Sequence, residues 1–331
     1  MRLSTPEELE QSFRTAETGG GPKQGAVRRR LLPNSALDVF TEVRFPGREW
    51  ALLVRSNEAI EDRDLVLATG LVCRTRNGSV EVVANPDTDR LLFCALLADL
   101  VNQLRIPVPG PATALVRRLG AWRRMLDRGL STGLSPEARL GLYGELLVLR
   151  EVMLHALGSA AVRAWVGPGG APQDFQHLSA AVEVKTVSRR DPDRCRISNE
   201  RQLEAAAHTT SLFLVHQAVS TSGDGTSLGE LVDELRNHPK VTPELSWFEN
   251  CLLEAGWLDI HRDQYVNDRY FLSRRQAFAV DATFPRITPS DLAPGVSGVS
   301  YLVDLSSCSS HRVDEETVRK SVSTASSTTK E

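Results

Sequence analysis

Short β-leaning runs punctuate the first third of the chain, at residues 37–43, 50–55, 65–73 and 79–83, and the Asn77-Gly78 turn signal joins the last two. Ahead of them a polar helix start is written by Thr5 as cap, Pro6 at the first helical position and Glu8 closing a capping box. The Gly19-Gly20-Gly21-Pro22 stretch that follows lacks a G-K-[ST] ending and a preceding strand, so it reads as a linker and not a phosphate loop. Helical spacing returns at 90–104 and again at 113–130. In the second of these, Leu115, Leu119, Trp122 and Leu126 form one stripe and Arg117, Arg124 and Arg128 another face. Residues 133–220 read as helix, strand, strand, strand, helix, strand. Two further helical patterns, 228–236 and 244–255, precede irregular strands. No internal repeat is visible. The pattern predicts an α/β protein in four parts: a mixed strand-rich domain over 1–110, closed by the Pro-rich stretch at 107–111; a core with its preceding helix over 111–222; a mixed α+β extension over 223–305; and a Ser/Thr-rich mobile tail over 306–331.

Composition narrows the function classes. Over 331 residues, 41% hydrophobic and 24% charged residues match an ordinary globular chain. The longest apolar runs fall far short of the ~20 residues a membrane helix needs, and the polar N-terminus has no secretory pattern, so a cytoplasmic protein is expected. Five scattered cysteines, with no C-x-x-C pair, indicate neither a disulfide framework nor a zinc ribbon. The histidines show no zinc-ligand spacing. A net charge of −3 argues against coating nucleic acid by bulk electrostatics and leaves room for local basic patches. Two exist: Arg117, Arg118, Arg123, Arg124 and Arg128 against Asp127, and the stretch 185–201, which includes Arg189 and Arg190. A solvated charged face is the plainer reading of both.

The strongest chemical signal is Ala180-Ala-Val-Glu-Val-Lys-Thr-Val187. Its period of two puts Val182, Val184 and Thr186 on one face, and Glu183 and Lys185 side by side on the other. Alone, this octapeptide reads more plainly as a half-buried strand with a solvated Glu/Lys face. Pairing residues 175–177 back on 180–182, with a tip at Leu178-Ser179, sets Asp174 opposite Glu183, where Cβ atoms lie ~4.5–5.5 Å apart. Two carboxylates so close repel unless a cation lies between them, and a divalent ion with ligand distances of ~2.0–2.1 Å, as for magnesium, would suit. Leu-Ser is not a preferred hairpin tip. In the preceding helix, capped by Ser135 and Pro136 and ended by Gly158, Glu145 falls within the apolar stripe. Metal coordination or a salt bridge would relieve its burial there. Gly141 and Gly144 in the same helix suggest that another backbone passes close. With 34 arginines and only five lysines among 39 basic residues, a mid-strand Lys185 is unexpected, and a compact ammonium can orient a water.

These residues resemble a known family. Pro172-x-Asp174 followed by Glu183-Val184-Lys185 looks like the PD-(D/E)XK motif of restriction-endonuclease-like nucleases. The Gly-Glu145-Leu-x-x-Leu helix and the segment Ile197-Ser-Asn-Glu-Arg-Gln202-Leu are similar to those of bacterial PD-(D/E)XK proteins encoded beside phage-defence genes. The proline stands one position further from Asp174 than in the motif, and Ala206 replaces a tyrosine that follows the glutamine in one branch. The resemblance, specific over 133–220 and fainter over 281–308, implies an α-β-β-β-α-β core, a mixed sheet flanked by helices, Mg2+ or Mn2+ as cofactor, and phosphodiester hydrolysis. It implies Asp174, Glu183, the Val184 carbonyl and Glu145 as metal ligands, Lys185 positioning the attacking water, and Gln202 as an accessory catalytic group. Arg189, Arg190 and Ser198 are the accompanying candidates for nucleic-acid contact. The expected partners are DNA, with RNA not excluded, and other subunits of a defence system; self-association is left open. An active endodeoxyribonuclease is the leading expectation. A non-catalytic nucleic-acid-binding or assembly subunit that keeps the nuclease fold is the alternative.

Overall fold

The computed structural model describes residues 4–19, 22–33, 37–105, 110–129, 132–188, 193–206 and 209–324. The chain divides into two compact units, residues 1–133 and 134–331. No described helix is long and apolar enough to cross a membrane.

In the first unit, α1 (Pro6–Thr18) starts on the expected capping box of Thr5 and Glu8. Six antiparallel strands follow: β1 (Gly25–Arg30), β2 (Asp38–Phe45), β3 (Glu49–Arg55), β4 (Arg63–Ala68), β5 (Leu71–Arg76) and β6 (Ser79–Ala84), in the order β1-β2-β3-β6-β5-β4. Asn77 and Gly78 both take positive φ, as a tight hairpin between β5 and β6 requires. The single run 65–73 is two strands folded back at Gly70, which also has positive φ. β1 has no apolar alternation and was not legible as a strand; it earns its place by pairing with β2 from Gly25 to Arg30. Helices α2 (Arg90–Gln103) and α3 (Pro111–Asp127) complete the unit. Phe13 of α1 stacks on Trp50 of β3 at 4.6 Å between ring centroids. The Asp99 carboxylate accepts from Arg118 Nε and Nη2 and from Trp122 Nε1, each at 2.7 Å, and so fixes which face of α3 turns inward.

The second unit opens with α4 (Pro136–Val148), capped by the Ser135 hydroxyl, a π-turn at Leu149–Met153 and α5 (Leu154–Leu157), ending at Gly158 with φ 60°. After α6 (Ala160–Ala164) come β7 (Phe175–His177), β8 (Ala180–Ser188), β9 (Arg194–Ile197) and β10 (Ser211–Ser227). Then follow α7 (Leu228–Arg236), α8 (Leu245–Glu254), β11 (Arg269–Ala279), β12 (Tyr301–Asp304), β13 (Arg312–Val313) and α9 (Glu315–Thr324). The main sheet runs β13-β11-β10-β8-β7; β8 and β10 are parallel and the other neighbours antiparallel. A mixed sheet with helices is the α/β class that the pattern predicts.

Four details depart from expectation. β9, the third expected strand, leaves this sheet and pairs with β12 in a separate two-stranded ribbon. The expected helix after β9 is a succession of turns over the described residues 198–206. Its carbonyls are claimed from a distance: Gln173 Nε2 donates to the carbonyls of Arg201, Gln202 and Glu204 at 3.0, 3.2 and 3.0 Å. Side-chain donors of this kind compete directly with the helical ladder. Finally, residues 312–324 of the expected tail form β13 and α9, with Val318 and Val322 buried; residues 325–331 lie outside the described set. β10 also runs through residue 222, so no break falls there.

Candidate active site

The site grows from the hairpin. β7 and β8 pair as Phe175↔Val182, Gln176↔Ala181 and His177↔Ala180, with Leu178 at the tip in the left-handed region, φ 49°. The hairpin forms despite its unfavourable tip because Phe175, Ala180, Ala181 and Val182 are all buried in the core. Asp174 stands one residue before this ladder. Its Oδ2 accepts the Val184 N–H at 2.7 Å, and its backbone carbonyl accepts from Val166 and Gly167 at 2.9 and 3.0 Å. A Cβ on Gly167 would lie 2.7 Å from Asp174 Oδ1, so the glycine is what lets the aspartate sit here.

Glu183 is 1% exposed, and Lys185 Nζ lies 2.7 Å from its Oε1. The approach is off the hydrogen-bonding directions, so both Glu183 oxygens are buried without an aligned donor. Lys185 Nζ also donates to Gln202 Oε1 at 3.1 Å, and the same oxygen accepts the Ser198 N–H at 2.8 Å. Glu145 Oε2 accepts from Trp165 Nε1 at 2.8 Å. Glu145 and Asp174 are half-buried as residues, yet their carboxyls sit in desolvated surroundings. Burial, then the neighbouring Asp174 charge, pushes Glu145 up to about 8 and Glu183 well above the carboxylate range. Burial raises Asp174 to about 6 against the Val184 N–H and Lys185, which lower it. Lys185 is raised: burial works against its charge, and Glu183 and Asp174 outweigh it.

The structure thus links Glu183, Lys185, Gln202 and the Ser198 N–H through an ion pair and hydrogen bonds, while Asp174, held by the Val184 N–H, and Glu145 reach them electrostatically. Arg189 and Arg190 lie outside the described residues. Three supporting residues escaped the sequence reading. Gln173, which interrupts the Pro-Asp step, joins the hairpin to the Gln202 turn. Trp165 holds Glu145. Thr186 packs against α4 so closely that a Cβ on Gly144 would lie 1.7 Å from its Oγ1. Gly141 has nothing within 4 Å of such a Cβ, so the close approach expected at both glycines occurs only at Gly144. The one available signal was Gln173, a polar residue wedged into an otherwise recognisable motif.

Among the described residues, no group of three His, Cys, Asp or Glu side chains is arranged to hold a metal ion. The donor set present is two carboxylates, Asp174 just before β7 and Glu183 on the neighbouring β8. Hard oxygen donors of this kind suit Mg2+ or Mn2+, and the unsatisfied Glu183 oxygens are what a cation would engage. The residues fit a cation at that level.

A family model described as "Putative PD-(D/E)XK family member, (DUF4420)" matches residues 6–306. No curated protein matches the chain, and no solved structure does.

Proposed function

The chain belongs to this PD-(D/E)XK family, and on that premise we propose that it is a metal-dependent nuclease hydrolysing phosphodiester bonds of DNA. The observation that carries the reading is a half-buried lysine ion-paired with Glu183 at 2.7 Å, donating to Gln202 at 3.1 Å and within electrostatic reach of Asp174. Mg2+ or Mn2+ held by Asp174, Glu183 and the Val184 carbonyl would polarise the scissile phosphate and lower the pKa of a bound water. The rest falls to the chain. Lys185, which donates one N–H to Gln202 and lies against the Glu183 carboxylate, has a further N–H with which to orient the attacking water. Gln202 fixes that ammonium by accepting from it, and the Val184 N–H aims the Asp174 carboxylate. Glu145 keeps its proton to about pH 8 unless a cation displaces it, and is the most dispensable of the acids. Arg189, Arg190 and Ser198 are assigned to the phosphate backbone. We place the activity in the cytoplasm, in a multi-gene anti-phage system whose other subunits are its partners; support for that setting is the resemblance of the motif-bearing segments.

The test is incubation of the purified chain with supercoiled and linear DNA plus Mg2+ or Mn2+, beside Lys185→Ala and Glu183→Gln. Cleavage by the parent that falls at least about 100-fold in both variants is expected. No cleavage by the parent under any condition, or equal cleavage by Lys185→Ala, overturns the reading. One observation favours a second reading, a non-catalytic nucleic-acid-binding or assembly subunit: no three-acid metal cluster exists among the described residues. DNA binding indifferent to chelator and to Glu183→Ala, without cleavage, would establish it.

A further inference from the structure

The two units differ in charge. Residues 1–133 carry 19 lysines and arginines against 16 aspartates and glutamates, and residues 134–331 carry 20 against 26. Within the positive unit the excess gathers on α3. Its inward face holds Ala112, Leu115, Leu119, Trp122 and Met125, all buried, and Arg118 locked to Asp99 at 2.7 Å. That lock fixes the roll of the helix. Arg117, Arg123, Arg124 and the C-cap Arg128 are exposed on the outward side. Asp127, at 3.6 Å from Arg123, is the one acid of α3. Other solvent-facing helices are balanced or acidic: α1 sets Glu7, Glu8, Glu10 and Glu17 against Arg14, and α9 alternates Glu315 and Glu316 with Arg319 and Lys320. Arg124 and Arg128 suit the negative end of the helix dipole, and Arg123 pairs with Asp127 four residues on; Arg117 has no such local reason.

Gly120 is the second observation. It lies in mid-helix, between Arg117 and Arg124 on the outward side, where glycine is a poor helix former. A Cβ there would meet only the guanidinium end of Arg124, at 3.7 Å, so packing does not require the glycine. Its absent side chain lets a rigid, negatively charged backbone come close to the helix between flanking guanidiniums, which pair bidentately with phosphate.

We infer that the outward face of α3, Arg117, Gly120, Arg123, Arg124 and Arg128, is a duplex-DNA phosphate-binding surface of the first unit. The inference deepens the nuclease reading and rests on it for the choice of DNA.

The test compares the full chain carrying Lys185→Ala, which leaves the duplex intact, with the same chain carrying Arg117→Gln, Arg123→Gln, Arg124→Gln and Arg128→Gln. Binding of a fluorescent duplex is followed by anisotropy over a salt series. At about 0.1 M salt a loss of at least tenfold is expected, with a fall of about three to four in the slope of log affinity against log salt and a melting temperature lowered by no more than a few degrees through the lost helix-end charges. Gly120→Leu, which keeps every charge, is expected to weaken binding several-fold while leaving the fold intact. Parent-like binding by the four-arginine variant overturns the inference even if the Lys185 chain cleaves DNA. Conversely, lost binding supports it even if that chain cleaves nothing, which would count against the nuclease reading alone. Binding of duplex RNA but not DNA overturns the assignment of partner.

Discussion

At the scale of single residues the site is a balance between desolvation and pairing. Asp174 stands at about 6, Glu145 at about 8 and Glu183 well above the usual range, each raised first by burial. A carboxyl whose folded pKa is raised binds its proton more tightly folded than unfolded. Its contribution to stability is whole below about pH 4 and is lost as pH rises through 6 and 8. Metal-free protein in chelator is therefore expected to melt at progressively lower temperature from about pH 6 to 9. That window lies above the titration of carboxylates held low by arginines, such as Glu42 and Asp233. Adding Mg2+ should remove most of the slope, because a cation competes with these protons. Glu145→Gln keeps an oxygen for Trp165 and should flatten the slope above about pH 7. Scanning calorimetry across this range decides it, and a flat profile in chelator would remove the account. Asp174, Glu183 and Lys185 were legible because a period of two fixes who stands beside whom. Gln173 and Trp165 were not, because their partners lie 28 to 31 and 20 residues away.

At the scale of elements, local rules were reliable where the backbone had no competing partner. The Thr5 and Ser135 caps, the Asn77-Gly78 turn and the β7–β8 hairpin all form as the sequence indicates. The rule failed at 198–206, where Gln173 draws off three carbonyls, and at β9, whose partner β12 lies about a hundred residues on. Two glycines of α4 give a paired prediction. Gly144→Ala drives a methyl into Thr186 and is expected to cost ~1–3 kcal/mol by overpacking. Gly141→Ala meets nothing and should stabilise by up to ~1 kcal/mol through helix propensity. Urea denaturation of the two variants checks the opposite signs; a stabilised Gly144→Ala would mean that α4 is not held against β8 as described.

At the scale of the whole molecule, the division into two units was less legible than the motif, because the boundary at 133/134 falls within one run of helices. The Ser/Thr-rich end concealed a short amphipathic helix, whose stripe is only Val318 and Val322. Those valines are 0% and 1% exposed, and Arg319 Nη2 donates to the Glu151 carbonyl at 2.8 Å. A chain ending at residue 311 is expected to lose about 3 kcal/mol or more from the buried valines alone, read as a lower denaturant midpoint.

The edges of the sheets bear on how the protein behaves when crowded. The second unit's sheet ends in strands of three and two residues, β7 and β13. The first unit's longer edge β1 carries Arg28, Arg29 and Arg30 in a row. An edge too short to pair, or one that meets a copy of itself with like charge, gives a neighbouring chain no template for a continued ladder. Copies brought to high concentration should therefore not join through these edges, and β4 (Arg63–Ala68), the first unit's other edge with Val66 61% exposed, is where strand pairing between copies would begin.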